Sequence, residues 1–463
     1  MLRCNQCTDA PCITICPVTA LHKRGDGIVD LDPEVCIGCK ACMQACPYDA
    51  LYINEDTGTA EKCHFCAHRT EIGLAPACAV VCPTEAIIPG DFDDPDSVVS
   101  RMRRDQDLSV RKPEAGTGPN VMYREVSTAG IDPGATNLSQ GFIWSQPPSG
   151  MQAAAQEFEA RERKAMEDRA QSRTVYDVPR KLVWGWRVTA YLFTKSFAAG
   201  IVPVAFVAAL AQGTLGQESG EVAIAATLLS LAFLGITGGL LIVDLKRPER
   251  FLTLFTRPNW NSWLARGTFV ILAYSILLTL WLLAGLIGPP GATFGTVLGI
   301  PTLVIGLGTA AYTGFLFAQA KGRVLWMKRG YWLQLVAQAV LAGAAALLLA
   351  RAAGVVNLTT TFDLIGHMLV GALVVQVAFA LIEGWLAPAG RKVEYHRTVR
   401  LISHGPFALM HWLVGIGAGA VLPAVVILMA QPHTHAAAAL LALVGLWVEE
   451  EIFVKAGQSL PIS

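Results

Sequence analysis

The chain has 463 residues, 53% of them hydrophobic, and its 36 basic residues balance 36 acidic ones. Zero net charge speaks against a nucleic-acid footprint, and so high an apolar content speaks against a purely soluble protein. Residues 1–180 are polar and loop-like, whereas 181–463 hold apolar stretches of the roughly 20 residues that a bilayer crossing needs.

All 12 cysteines lie in the first 82 residues, in three runs of four: Cys4-Cys7-Cys12-Cys16, Cys36-Cys39-Cys42-Cys46 and Cys63-Cys66-Cys78-Cys82. Each run ends in Cys-Pro. Six disulfides are one alternative, but the opening Met1-Leu2-Arg3-Cys4 has no apolar run of a signal peptide. Zinc is another, since Cys-x-x-Cys pairs bind it. The second run, Cys36-x2-Cys39-x2-Cys42-x3-Cys46-Pro47, fits the ferredoxin pattern for a [4Fe-4S] cluster better than either. Close spacing lets one loop wrap three corners of a cubane, with Gly38 allowing tight backbone approach. The first run is a variant with two extra residues in its middle gap.

In two-cluster ferredoxins the fourth cysteine ligates the other cluster. Cluster one then takes Cys4, Cys7, Cys12 and Cys46, and cluster two takes Cys36, Cys39, Cys42 and Cys16. The third run has no partner run. Either Cys82 closes a third cluster with Cys63, Cys66 and Cys78, or a further run is missing, so two to three clusters are expected. His64 and His68 lie inside this run; they read as surface histidines, because four cysteines are already available there.

Beyond the spacing, Cys4-Asn5-Gln6-Cys7, Cys36-Ile37-Gly38-Cys39, Ala45-Cys46-Pro47-Tyr48 and Arg69-x3-Gly73-x2-Pro76-Ala77-Cys78 resemble the electron-transfer subunits of complex iron–sulfur molybdoenzymes. Polysulfide reductase, dimethyl sulfoxide reductase and formate-dependent nitrite reductase belong to that set. The resemblance implies two fused ferredoxins with four runs and four clusters, of which this sequence lacks the first run. A translation start placed too late, or a shortened form, is the expectation.

Residues 91–180 form a connector, opening on Asp91-Phe92-Asp93-Asp94-Pro95-Asp96. Ala153 to Arg173 interleaves Glu and Arg at helical spacing and predicts a solvated helix. At about 90 residues the connector exceeds a simple tether and is expected to wrap the cluster domain or dock a partner.

Residues 181–463 predict an all-α bundle of eight spans: about 187–212, 222–244, 264–288, 294–319, 331–353, 362–386, 405–431 and 436–455. Glu449, Glu450 and Glu451 make the last the weakest; at least one is expected to point into the bundle or snorkel. The fold class is therefore multi-domain: a loop-rich, ferredoxin-like α+β domain over 1–90, the connector, and the membrane bundle.

Lysine and arginine concentrate in the loops after spans 2, 4 and 6, on the side of the N-terminus. The positive-inside rule then places both termini and the cluster domain in the cytoplasm of a bacterial-type plasma membrane. Asp244-Leu245-Lys246-Arg247-Pro248-Glu249-Arg250-Phe251, Tyr312-Thr313-Gly314-Phe315-Leu316, Lys321-Gly322-Arg323 and Ala456-Gly457-Gln458 resemble the NrfD/polysulfide reductase membrane subunit. That resemblance implies a quinone-reactive, haem-free subunit. Polysulfide reductase itself faces the periplasm, so its substrate does not carry over with the opposite orientation. His367 and His411 lie roughly 15 Å or more apart in depth at 1.5 Å per residue and cannot share one haem iron.

Polar side chains within spans are costly and mark function. Lys195, Tyr312, Asp244, Glu383 and His411 all fall toward the inner ends of their spans. Arg187, Tyr191, Thr194 and Lys195 share one helical face. A quinone headgroup at this level takes hydrogen bonds from Tyr312 and Lys195, with His411, Glu383 and Asp244 passing protons. The competing expectations are an Asp244 clamp on Arg247 or Arg250, an interface tyrosine and a snorkelling lysine. Asp363 and His367, at i, i+4, read as a buried hydrogen-bonded pair or as part of a proton path.

The leading reading is a membrane-bound electron-transfer subunit linking the quinone pool to a cytoplasmic catalytic partner, plausibly of molybdopterin type or another soluble redox protein. No residues fit a pterin, so terminal chemistry lies elsewhere. The alternatives are a redox-driven proton-translocating module and a docking scaffold with structural clusters.

Overall fold

The computed structural model describes residues 3–127, 131, 182–214, 220–287, 292–356, 358, 360–429 and 432–460. The charged stretch Ala153 to Arg173 lies outside them.

Each ferredoxin-type run builds the same unit. A five-residue helix carries the third cysteine, Pro11–Ile15 for Cys12 and Ala41–Ala45 for Cys42. A short antiparallel hairpin follows, Leu21–Lys23 on Val29–Leu31 and Leu51–Ile53 on Ala60–Lys62. These strands are too short to bury a core alone. The two units share one instead, with Ile15, Ile37, Ala41, Ala45 and Tyr48 essentially inaccessible.

The connector begins by wrapping this domain. Thr8 and Asp9 donate from their backbones to Gly118 and Thr117 (2.8 and 3.0 Å), and Asn120 donates to Asn5 (2.9 Å). Tyr48 Oη bonds Thr117 Oγ1 at 2.6 Å.

Eight long helices follow: Trp186–Ala211, Gly220–Val243, Trp263–Ile287, Ala292–Gln319, Tyr331–Ala352, Phe362–Ile382, Met410–Met429 and His435–Ser459. Among the described residues, seven are long and apolar enough to cross a membrane. The eighth is long enough, but its last third carries Glu449, Glu450, Glu451 and Lys455. Its glutamates turn toward other helices or toward Lys455 rather than toward lipid. The expected boundaries hold to within a few residues, except that the seventh helix starts at Met410. A separate amphipathic helix, Lys392–Ser403, fills the preceding loop.

Two close approaches fix the bundle's centre. A Cβ on Gly200 would stand 1.8 Å from the Ala339 carbonyl oxygen, and one on Gly343 would stand 2.3 Å from the Gly200 carbonyl carbon. The first and fifth helices therefore cross backbone to backbone, the small-residue packing expected where lipid supplies no hydrophobic drive.

The cluster domain sits on the basic loops. Lys246 and Arg247 donate from their backbones to Gly38 and Ile37, both at 3.2 Å. Arg250 Nη1 donates to the carbonyls of Pro33 (2.7 Å) and Cys36 (3.1 Å). Asn259 Nδ2 donates to Cys16 (2.8 Å), and Ser262 Oγ to Ile15 (2.7 Å). Gly322 N donates to Gln44 O at 3.1 Å, and Arg323 Nε reaches Gln44 Oε1 at 2.7 Å. Arg250 and Arg323 thus use their guanidinium groups to join the two domains.

Candidate functional site

Two cavities in the cluster domain each gather four thiols. One is lined by Cys4, Cys7, Cys12 and Cys46, the other by Cys16, Cys36, Cys39 and Cys42. The fourth cysteine of each run lines the other run's cavity. Among the described residues, no three Cys, His, Asp or Glu side chains converge as tightly as a single ion requires. Thiols spread around a volume suit a cubane rather than a tetrahedral zinc ion. Burial, reinforced by the neighbouring cysteines and partly relieved by backbone N–H groups, pushes the Cys39 and Cys46 thiols up to about 12. Without iron these are neutral thiols, and metal binding displaces their protons.

The third run is different. Cys63 is exposed, and Cys66, Cys78 and Cys82 are half-buried. The Ala86 N–H and Thr84 hydroxyl hold the Cys82 thiol below its ordinary value. His64 and His68 stack on each other at the surface, with Nε2 and Nδ1 3.1 Å apart.

Cluster-two residues touch the membrane half directly. Gly38, at φ +66°, has no room for a Cβ: one would lie 2.5 Å from Gly58 O and 2.6 Å from Lys246 Cβ. Its neighbour Lys40 pairs with Asp244 at 3.0 Å. Asp244 is therefore not a clamp on Arg247 or Arg250; it holds the second cysteine loop to the end of the second helix.

The family-like stretches of the membrane half acquire physical reasons. Tyr312 lays its ring on Gly267, where a Cβ would stand 2.2 Å from Cε2. Thr313 Oγ1 accepts from Lys195 Nζ at 2.6 Å, and Gly314 packs on the backbone of Trp332. Gln458 ties both ends of the bundle together. Its Oε1 accepts from Val183 N (3.1 Å), Trp184 N (3.0 Å) and Gln44 Nε2 (3.0 Å).

On the same side as the cluster domain, the bundle opens into a cavity between the fifth to eighth helices. Its water-accessible core is about 50 Å³, room for a few waters; with its open mouth it holds about 610 Å³. His411, Glu383, Lys328, Glu449, Glu450 and Trp412 are among its walls. His411 sits in a π-helical stretch, Met410–Val421, of the kind frequent at functional sites. Its Nδ1 pairs with Glu449 Oε1 at 2.8 Å. Lys328, 5% exposed, pairs with Glu383 at 2.9 Å, and Tyr395 Oη donates to Glu383 Oε1 at 3.0 Å. Burial and Glu383 together push the Tyr395 hydroxyl well above its ordinary value.

The five expected quinone residues therefore separate. His411 and Glu383 share the cavity. Lys195 and Tyr312 lie behind it, with Nζ 5.2 Å from the ring centre and engaged by Ala310 O and Thr313. Asp244 lies at the domain junction. On the shared face of the first helix, Arg187 donates to Val243 O and Thr194 bonds Thr237, while Tyr191 is buried. On the far side, Asp363 and His367 are both exposed, and His367 Nδ1 meets the Asp363 backbone carbonyl at 2.6 Å, so no buried side-chain pair forms. Sequence reasoning missed Lys328 and the glutamines Gln334, Gln338 and Gln376. The i, i+4 spacing of Gln334 and Gln338 inside an apolar run was the available signal.

Residues 2–92 match the family described as 4Fe-4S dicluster domain, and residues 174–461 match Polysulphide reductase, NrfD. The N-terminal part is 46% identical over 146 residues to a subunit of the tetrathionate reductase of Salmonella typhimurium, covering 31% of this chain and 58% of that protein. It is 37% identical over 130 residues to a component of the polysulfide reductase of Wolinella succinogenes, covering 28% and 68%. It is 36% identical over 168 residues to the arsenate respiratory reductase iron–sulfur subunit of a Shewanella species, covering 26% and 72%. The chain thus spans little more than half of the tetrathionate relative.

Proposed function

The chain belongs to the NrfD family of polysulphide reductase membrane proteins, fused to a 4Fe-4S dicluster domain, and on that premise we propose that it passes electrons between a membrane quinone pool and a catalytic oxidoreductase subunit. The three relatives are each named as one component of a reductase, which supports a separate catalytic partner, of molybdopterin type in this reading. Cys4, Cys7, Cys12 and Cys46 hold one [4Fe-4S] cluster; Cys16, Cys36, Cys39 and Cys42 hold the second. Cys63, Cys66, Cys78 and Cys82 are the ligand set of a third on the exposed face.

The quinone headgroup enters the cavity beside His411. Lys328 and His411 supply N–H donors, and the His411–Glu449 and Lys328–Glu383 pairs hold those donors in place. Trp412 and Phe453 give the ring an apolar wall. Lys195 and Tyr312 support the wall from behind. The protein carries no haem in this reading. When bound, the clusters supply one-electron transfer; the chain's own residues bind the ring, orient it and move its protons. Family membership and seven apolar crossings make this a multi-pass membrane protein. The cluster domain lies on the basic-loop side, which we assign to the cytoplasm.

One observation carries the reading: the second cysteine loop is bonded to Lys246, Arg247, Arg250 and Asp244, on the bundle face into which the cavity opens. Quenching of tryptophan fluorescence by a quinone analogue tests it. His411→Ala should weaken binding about tenfold or more, the loss of a charge-assisted hydrogen bond. Equal affinity in the variant removes His411 from the site.

A further inference from the structure

The three consecutive glutamates have three different surroundings. Glu449 pairs with His411 and Glu451 with Lys455. Glu450 is 1% exposed, and neither carboxyl oxygen has a hydrogen-bond partner. The Ser196 hydroxyl faces it but donates to Leu192 O at 3.0 Å. Gln334, Gln338 and Gln376 line the same cavity, and each has a buried, unpartnered Oε1. A buried polar group with no partner is destabilising. Five such oxygens, from the fifth, sixth and eighth helices around one cavity, mark the place of a hydrogen donor.

Glu450 also has a cation behind it. It lies nine residues before Ser459, and Lys195 lies nine residues after Trp186, so both are ~14 Å from the helix ends that Gln458 ties together. Lys195 interacts electrostatically with Glu450. Tyr191 and Tyr331 also face it, and Lys328, Glu383, His411 and Glu449 share the cavity.

We propose that Glu450 is the acid–base residue that exchanges a proton with the quinone headgroup. This rests on reading the cavity as the quinone site. In the oxidising direction, Glu450 takes the proton as one hydroxyl O–H bond of the quinol breaks, and becomes a carboxylic acid. His411 takes the second proton at Nε2, its Nδ1 being engaged by Glu449. A [4Fe-4S] cluster held by Cys16, Cys36, Cys39 and Cys42 would accept the two electrons one at a time, so that the quinol, having lost two protons and two electrons, is left as a quinone. The reverse direction returns both protons. Lys195 balances the charge while Glu450 is ionised, which places one proton-exchange step deep in the bundle.

The full chain with its clusters, given short-chain benzoquinol and naphthoquinol, tests this. Redox-induced infrared difference spectra of the wild type should show a carboxylic C=O band that changes with quinone turnover and is absent in Glu450→Gln. Quinol-driven cluster reduction in that variant should fall about 100-fold or more, as expected for a lost acid–base group. Glu450→Asp should recover part of the rate. Wild-type rates in Glu450→Gln, or a wild-type spectrum with no changing carboxyl band, overturn the role of Glu450 and leave the cavity reading standing. Wild-type clusters that neither quinol reduces overturn both. A wild-type spectrum without the band overturns the role of Glu450 even where a variant fails to fold.

Discussion

Gly322→Ala probes the seam between the two domains with one methyl group. A Cβ at Gly322 would lie 2.6 Å from both Cys46 O and Gln44 O, backbone atoms that no rotamer change moves away. Ordinary contact begins at 3.4 Å, so the second cysteine helix must retreat by ~0.8 Å, the difference of those two distances. That retreat stretches three bonds centred on Gln44: Gly322 N to Gln44 O (3.1 Å), Arg323 Nε to Gln44 Oε1 (2.7 Å) and Gln44 Nε2 to Gln458 Oε1 (3.0 Å). Overpacking costs about 1–3 kcal/mol and each weakened bond about 0.5–1.5 kcal/mol. Together these come to about 2.5–7.5 kcal/mol, and even about 3 kcal/mol shifts the docked population about 100-fold. Gly239→Ala, with nothing within 4 Å of its Cβ, is the control. Dithionite-reduced EPR spectra should show clusters in both variants, while reduction by quinol should slow only in Gly322→Ala. Equal quinol rates in the two would refute the docked seam as the electron route.

Lys328→Met leaves the half-buried Glu383 without its cation. Breaking such a pair costs about 3–5 kcal/mol, visible as a lower unfolding temperature in detergent, whereas Tyr312→Phe should leave both that temperature and quinone affinity near wild type. The raised Tyr395 hydroxyl means that the folded state keeps a proton which the unfolded chain releases near pH 10. That contribution is complete below pH 10 and is lost above it. Thermal unfolding from pH 7 to 11 should therefore fall less steeply in Tyr395→Phe, and parallel curves would remove the effect. Iron and sulfide analysis of the purified chain should give about eight irons for the two thiol-lined cavities and about twelve once the exposed third run is also filled.

What the sequence carried, and what it did not, divides along contact range. The cysteine runs and apolar lengths are local patterns, so cluster chemistry and helix positions could be read from spacing alone. The exchange of Cys16 and Cys46 was legible because the ferredoxin rule supplies it. Lys40 and Asp244 are 204 residues apart, and nothing local in either chooses the other. Basic loops signalled topology but not that Arg250 and Arg323 are consumed in holding the cluster domain. The glutamate triplet was visible, yet helical phase at the end of the eighth helix depends on how Gly415 and Gly419 let it approach the seventh. Only packing could send Glu449 to His411, Glu450 inward and Glu451 to Lys455.

Anaerobic mixing of the iron-loaded full chain with quinol, followed by EPR of the reduced clusters, tests the account at its centre. A reduced [4Fe-4S] signal should grow at a rate that saturates with quinol and drops in His411→Ala. Clusters that dithionite reduces but quinol leaves oxidised, across quinols of low and high potential, would contradict it.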